Sequence, residues 1–184
     1  MTSSQKFTSN GNFIRTVGKY GKNPLEFESS MGVAIHPHNK KVYIADNRNH
    51  RIQILNPDLT FSSSFGSYGR DNGQFGYPLD VAFDSTGNVY VADSANSQIQ
   101  VFTATAKFLR KFRKGNGELN WPASISIDGD NVVYVTEGYK HCVSVFTCEG
   151  KFLKSFGTKG SGPGQFNYPR VIAVDKNGVV YVSD

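Results

Sequence analysis

Val81-Ala-Phe-Asp84-Ser-Thr-Gly87-Asn88-Val-Tyr90-Val-Ala-Asp93 holds two short apolar runs on either side of a polar turn. Val81–Phe83 and Val89–Ala92 are too short for helices and rich in β-branched and aromatic residues. Gly87 supplies the positive φ that a tight hairpin turn needs. The stretch is a β-hairpin, and it recurs. Tyr43-Ile-Ala-Asp46, Tyr90-Val-Ala-Asp93, Tyr134-Val-Thr-Glu137 and Tyr181-Val-Ser-Asp184 follow one another at intervals of 47, 44 and 47 residues. Phe13, Phe61, Phe108 and Phe152 recur at 48, 47 and 44, as in Phe108-Leu-Arg-Lys-Phe112. Two independent anchors share one period, and a period of about 20 to 50 residues dictates the whole architecture.

Each repeat carries four apolar runs in order. Strand A is Val33-Ala-Ile35, Val81-Ala-Phe83, Ile125-Ser-Ile127 and Ile172-Ala-Val174; strand B is the Tyr run; strand C is Ile52–Leu55, Ile99–Phe102 and Val143–Phe146; strand D is the Phe run. Four antiparallel strands per ~47 residues is the pattern of a β-propeller blade. The expected class is all-β, with four blade-equivalents. Residues 1–18 supply strands C and D only; 32–66, 80–112 and 124–156 supply complete blades; 170–184 supply A and B only. The two half-blades are complementary, so they can close a four-bladed ring, or the chain is an arc of a larger propeller. The arc is our reading, and it carries the expectation that deleting residues 170–184 leaves stability unchanged. Neighbouring blades should cover both faces of each sheet, so strands A and B are nearly continuous Val, Ile, Ala and Tyr. Strand D at the rim takes the charges Arg15, Arg110, Lys111 and Lys154.

Gly73-Gln-Phe75-Gly-Tyr-Pro78, Gly162-Pro-Gly-Gln-Phe166-Asn-Tyr-Pro169, Asn49-His-Arg-Ile-Gln53 and the opening hairpin together resemble the NHL repeat over nearly the whole chain. That resemblance implies a six-bladed propeller, of which this chain holds about two thirds. It further implies similarity to the C-terminal module of tripartite-motif ubiquitin ligases, which binds protein substrates or RNA downstream of RING and B-box zinc modules. No CxxC pair exists between the two cysteines, so this chain alone recruits no ubiquitin-conjugating enzyme. One unit departs from the pattern: the connection through Trp121-Pro122 is three residues shorter than its counterparts, and Glu137 stands where the others have Asp.

The composition agrees with short aromatic strands between turns: 19 Gly, 14 Phe and 9 Tyr among 184 residues, with one Trp. No run approaches the ~18 apolar residues of a membrane span, and Met1–Asn10 has no apolar signal core. Cys142 and Cys148 lie six apart, too far for a disulfide if they share one strand. We expect a cytoplasmic setting without membrane contact.

Propeller ligands commonly meet the face made by the D-to-A and B-to-C loops. Ten basic residues fall there against nine acids, yet Asp46, Asp93, Glu137 and Asp184 recur just after strand B, where carboxylates accept backbone N–H groups. Without them the balance is ten to five. The candidate ligand-binding residues are Arg48, His50, Arg51, Tyr68, Arg70, Arg113, Lys114, Tyr139, Lys140 and Lys159. A protein or peptide partner is the first reading and single-stranded RNA the second, phosphates pairing with cations and bases stacking on rings. Tyr77, Trp121 and Tyr168, each before a proline, read as packing at the start of strand A.

His50 and His141 share a repeat position that holds Ser97 in the middle blade, so they read as loop hydrogen-bonding residues rather than metal ligands. No metal, cofactor or catalytic residue is assigned. Cys142 and His141 are neighbours whose side chains point to opposite faces of a strand. A metal-dependent lyase-like propeller and a ligand-binding sensor propeller are the alternatives.

Overall fold

The computed structural model describes residues 3–113 and 119–184. Strands β1 (Ser4–Phe7) and β2 (Phe13–Val17) form an antiparallel half-blade. A loop with a two-residue parallel ladder, β3 (Lys19–Tyr20) on β4 (Glu26–Phe27), leads to blade 1. Blade 1 contains β5 (Ser30–Ile35), β6 (Val42–Asp46), β7 (Arg51–Leu55) and β8 (Phe61–Phe65). Blade 2 contains β9 (Pro78–Phe83), β10 (Val89–Asp93), β11 (Gln98–Phe102) and β12 (Phe108–Phe112). Blade 3 contains β13 (Pro122–Ile127), β14 (Val133–Glu137), β15 (Cys142–Phe146) and β16 (Phe152–Phe156). A second parallel ladder, β17 (Thr158–Lys159) on β18 (Gln165–Phe166), leads to a last half-blade of β19 (Val171–Val174) and β20 (Val180–Ser183). Each full blade is a four-stranded antiparallel meander in chain order A to D, as the repeat predicts.

The core lies between blades. Tyr43, Ile52 and Ile54 of blade 1 pack with Phe75, Val81, Val91 and Phe102 of the next repeat, and Tyr90, Ile99 and Val101 pack in the same way with Ile125, Val135 and Phe146. The strand-B tyrosines also tie blades together by hydrogen bonds. Tyr43 Oη–H donates to Ala104 O at 3.0 Å and Tyr90 Oη–H to Cys148 O at 3.1 Å, each reaching the C-to-D turn of the following blade. Arg110, expected as a bare rim charge, also turns inward. Its Nε donates to Cys148 O at 3.0 Å and its guanidinium lies 5.9 Å from the Tyr90 ring centre.

Coverage of strand A is uneven, unlike the expectation. Val81, Ile125 and Ile172 hold one repeat position and are 3, 5 and 5% exposed, whereas Val33 at that position in blade 1 is 61% exposed. No neighbouring strand A covers it. The half-blades form separate two-stranded sheets and do not close on each other among the described residues. Residues 170–184 carry core contacts that the expectation for their deletion left out. Ile172, Val180 and Val182 pack against Val143 and Val145, so deleting them uncovers part of the blade 3 core even in an open arc.

On the opposite end of the blades, His36 rivets blade 1 to blade 2. Its Nδ1 accepts the His38 and Asn39 N–H groups at 3.2 and 3.3 Å, so Nε2 carries the proton and donates to Gly87 O at 3.2 Å. Burial, with His38 and Lys40 nearby, holds its pKa below the ordinary histidine value against the opposing pull of the Gly87 carbonyl. A proton on Nδ1 would face two N–H donors. Because the unfolded chain binds that proton more readily, this contribution is complete above the ordinary histidine pKa of ~6.5 and fades as pH falls through it. The urea midpoint should therefore drop between pH 7.5 and 5, and His36→Gln should flatten that slope; an unchanged slope would exclude His36 as its source.

Candidate recognition face

The strand-B carboxylates organise the loops. Asp46 Oδ1 accepts Glu28 N–H at 2.8 Å, Asp93 Oδ1 accepts Gly76 N–H at 2.8 Å, Glu137 Oε2 accepts Asn120 N–H at 2.9 Å and Asp184 Oδ2 accepts Asn167 N–H at 2.5 Å. The expected backbone bonds exist, but they come from the preceding D-to-A loop and not from the acid's own turn. Asp46, Asp93 and Glu137 therefore each fix a D-to-A loop against a B-to-C turn. Glu137, one methylene longer, does so where the D-to-A connection is three residues shorter.

The B-to-C turns are single 3-10 turns, Asn47–Asn49, Ser94–Asn96 and Gly138–Lys140, each closed by a left-handed residue: His50 at φ 55°, Ser97 at 54° and His141 at 55°. The D-to-A loops bend at glycines. At Gly69, φ +154°, a Cβ would lie 2.0 Å from the Gln74 side chain.

His50 donates from Nδ1 to Gly76 O, and its ring lies 4.8 Å from Tyr68 and 5.5 Å from Tyr77. His141 does the reverse, Nδ1 accepting Tyr168 N–H at 3.2 Å, with the Tyr168 ring 4.7 Å away. Both histidines are loop hydrogen-bonding residues. Among the described residues no group of three His, Cys, Asp or Glu is placed to hold a metal ion.

Of the predicted site residues, Tyr68, Arg70, Tyr139 and Lys159 are exposed on this face, as is Arg48, whose Nη1 is 3.9 Å from the Glu28 carboxylate. Arg113 is exposed and donates from Nη2 to Gln98 Oε1 at 3.2 Å. Lys114 lies outside the described residues. Two assignments are corrected. Arg51 is committed to structure: Nε bonds Asp46 at 2.8 Å, and its Nη atoms bond the carbonyls of Lys22, Asn23 and Glu26 at 2.7 to 3.0 Å. Lys140 is half-buried and pairs with buried Glu137 at 3.5 Å. Both charges are neutralised inside the fold.

Sequence reasoning read Tyr77, Trp121 and Tyr168 as packing at the start of strand A and counted Arg170 among the charges of this face without choosing it. Tyr77 and Tyr168 are exposed, and Trp121, Tyr139 and Tyr168 form a stair of edge-to-face rings at 5.4 and 5.8 Å. The signal was an aromatic-proline pair at one repeat position in three units. Lys22, Arg70, Lys159 and Arg170 make no side-chain hydrogen bond or ion pair with a described residue, and Asp71 is an acid of these loops in the same condition. The inner strands β5, β9, β13 and β19 line a cavity of about 1190 Å3, framed at its loop end by Trp121, Tyr139, Tyr168 and Arg170.

The NHL repeat family model matches residues 75–102, and a model described as a 6-bladed beta-propeller matches residues 122–184. The chain is a β-propeller that carries an NHL repeat and is similar to the NHL-repeat proteins. It is 35% identical over 97 residues to Protein brain tumor of Drosophila melanogaster, a match covering 52% of this chain and 9% of that protein. It is 32% identical over 106 residues to NHL repeat-containing protein 3 of Homo sapiens, covering 53% of this chain and 30% of that protein. The chain also superposes on virginiamycin B lyase from Staphylococcus aureus with a TM-score of 0.71 at 15% identity, covering 97% of this chain and 55% of the lyase chain. At that identity the likeness concerns the fold alone. The matched regions span less than a third of the two curated relatives. No helix among the described residues is long and apolar enough to cross a membrane.

Proposed function

We propose that the chain is a non-catalytic recognition module whose loop face binds an acidic, extended segment of a protein partner. The observation that carries the proposal is the interleaving of unpaired cations, Lys22, Arg70, Lys159 and Arg170, with exposed Tyr68, Tyr77, Tyr139 and Tyr168. Tyrosine and arginine are enriched among the residues that dominate binding energy at protein interfaces: tyrosine buries a large ring at little cost in side-chain freedom, and arginine adds a planar fork of hydrogen-bond donors. RNA is the second reading, since the same rings beside the same cations can stack bases and neutralise phosphates. We extend the proposal to a longer chain in which upstream RING and B-box zinc modules make a cytoplasmic ubiquitin ligase, this face choosing its substrate.

Salt separates the two partners. A single-stranded RNA held by four of these cations should lose about 50-fold in affinity between about 50 and 200 mM salt, whereas an acidic peptide anchored by aromatic contacts should lose only several-fold. Fluorescence anisotropy with a mixed-sequence RNA and an acidic, tyrosine-containing peptide measures both slopes. The double variant Arg70→Ser, Lys159→Ser should weaken whichever binds, and unchanged affinity would remove this face from the reading.

A further inference from the structure

We infer that the loop-end mouth of the inner cavity is a subsite for the C-terminal carboxylate of a protein partner whose last residue is apolar. This inference rests on the reading of the face as protein-binding. Arg170 frames the mouth, exposed and without a partner among the described residues. The rings of Trp121, Tyr139 and Tyr168 line the same cavity, and its wall carries Val33, Ile127 and Val171, with the polar Ser30, Ser124 and Ser126 among them. A cation and apolar side chains that line one mouth call for an anion and an apolar group joined in one small unit. A chain terminus provides that, because one Cα then carries both the carboxylate and the side chain. A mid-chain Asp or Glu would instead drag two continuing polar backbones into the cavity.

The wall contains one acid, Asp80, and it is already occupied. Its Oδ2 accepts the Ser124 hydroxyl at 2.7 Å and Ile125 N–H at 2.9 Å, and Oδ1 accepts Val81 N–H at 2.9 Å. Burial pushes its pKa up, which lessens its repulsion of an incoming anion. The cavity exceeds the ~300–1,000 Å3 usual for small-ligand pockets, so it admits several residues of an extended terminus. Guanidinium suits the partner, since its planar fork matches a carboxylate bidentately.

Trp121, the single tryptophan, reports on the mouth by its own fluorescence. The probe is N-acetyl-phenylalanine, compared with its amide. A ligand of that size, at ~0.3 kcal/mol per heavy atom, should bind near a millimolar and change Trp121 emission saturably. The amide should bind about tenfold or more weakly, the usual worth of a charge-assisted hydrogen bond. Arg170→Gln should abolish the difference between acid and amide, and the rim variant Lys111→Gln should leave it intact. Equal binding of acid and amide, a difference that survives Arg170→Gln, or no saturable change would each overturn the inference. A C-terminally amidated acidic peptide keeps the two readings apart: if it still binds the face while the acid fails at the mouth, the subsite is wrong and the face stands.

Discussion

Asp93→Ala should lower the free energy of unfolding by about 3–5 kcal/mol, as much as truncating a large core side chain. Asp93 is completely buried and has four donors: Gly76 N–H at 2.8 Å, Asn96 Nδ2 at 2.8 Å, Gln98 Nε2 at 3.0 Å and Gln100 Nε2 at 3.3 Å. All four are neutral, so the carboxylate is held by dipoles alone. Alanine would strand the Gly76 N–H and Gln98 Nε2 in the interior, each at ~1–3 kcal/mol, while Gln100 Nε2 keeps Gln74 O at 2.6 Å and Asn96 Nδ2 keeps Gly69 O at 2.7 Å. The loop through Gly76 also loses its anchor. For a chain of this size the melting temperature should fall by about 10 °C. Calorimetry on Asp93→Ala measures this, and a loss below about 1 kcal/mol would mean that the network contributes little net stability.

That network also marks how much of the molecule the sequence discloses. The recurrence of an acid after every strand B was visible, and so was its being satisfied internally. Its partners were not visible, because they come from a loop 17 or 18 residues upstream and from polar residues on strand C, Gln53, Gln98, Gln100 and Ser144, that a hydrophobic pattern ignores. Strands and their order follow from period and turn glycines, which are local chemistry. The open face of β5 does not, since Val33 and Val81 occupy the same position and differ only in whether a blade stands in front of them.

The placement of two ring residues at the loop end has a backbone reason. Trp121 and Tyr168 look like core aromatics before a proline, but they sit at φ 56° and 60°. The left-handed conformation points their rings out to the loop face instead of into the sheet.

Arg48 and Arg51 show the same limit for charges, and Arg51→Ala against Arg48→Ala tests it. In sequence they are two cations of one turn. In the fold, Arg48 is exposed and 3.9 Å from Glu28, a pair worth ~0–1 kcal/mol, so Arg48→Ala should leave stability within about 0.5 kcal/mol and act only on ligand binding. The Arg51 side chain is only 15% exposed, pairs with fully buried Asp46, and holds three carbonyls of the loop at residues 22–26. Removing it leaves a buried carboxylate short of its cation and three carbonyls short of their donor. The expected loss is about 3 kcal/mol, the low end for a broken buried pair because the guanidinium keeps some water contact. Asp46 keeps Glu28 N–H, Asn49 and Gln53, which limits the damage. The same loop carries Tyr20 and Lys22 on the recognition face, so Arg51→Ala should also weaken binding, and it should do so in proportion to the fraction unfolded or loosened. Urea unfolding and ligand titration on both variants separate bracing from contact: a stable Arg51→Ala that had lost only its ligand would return Arg51 to the binding surface.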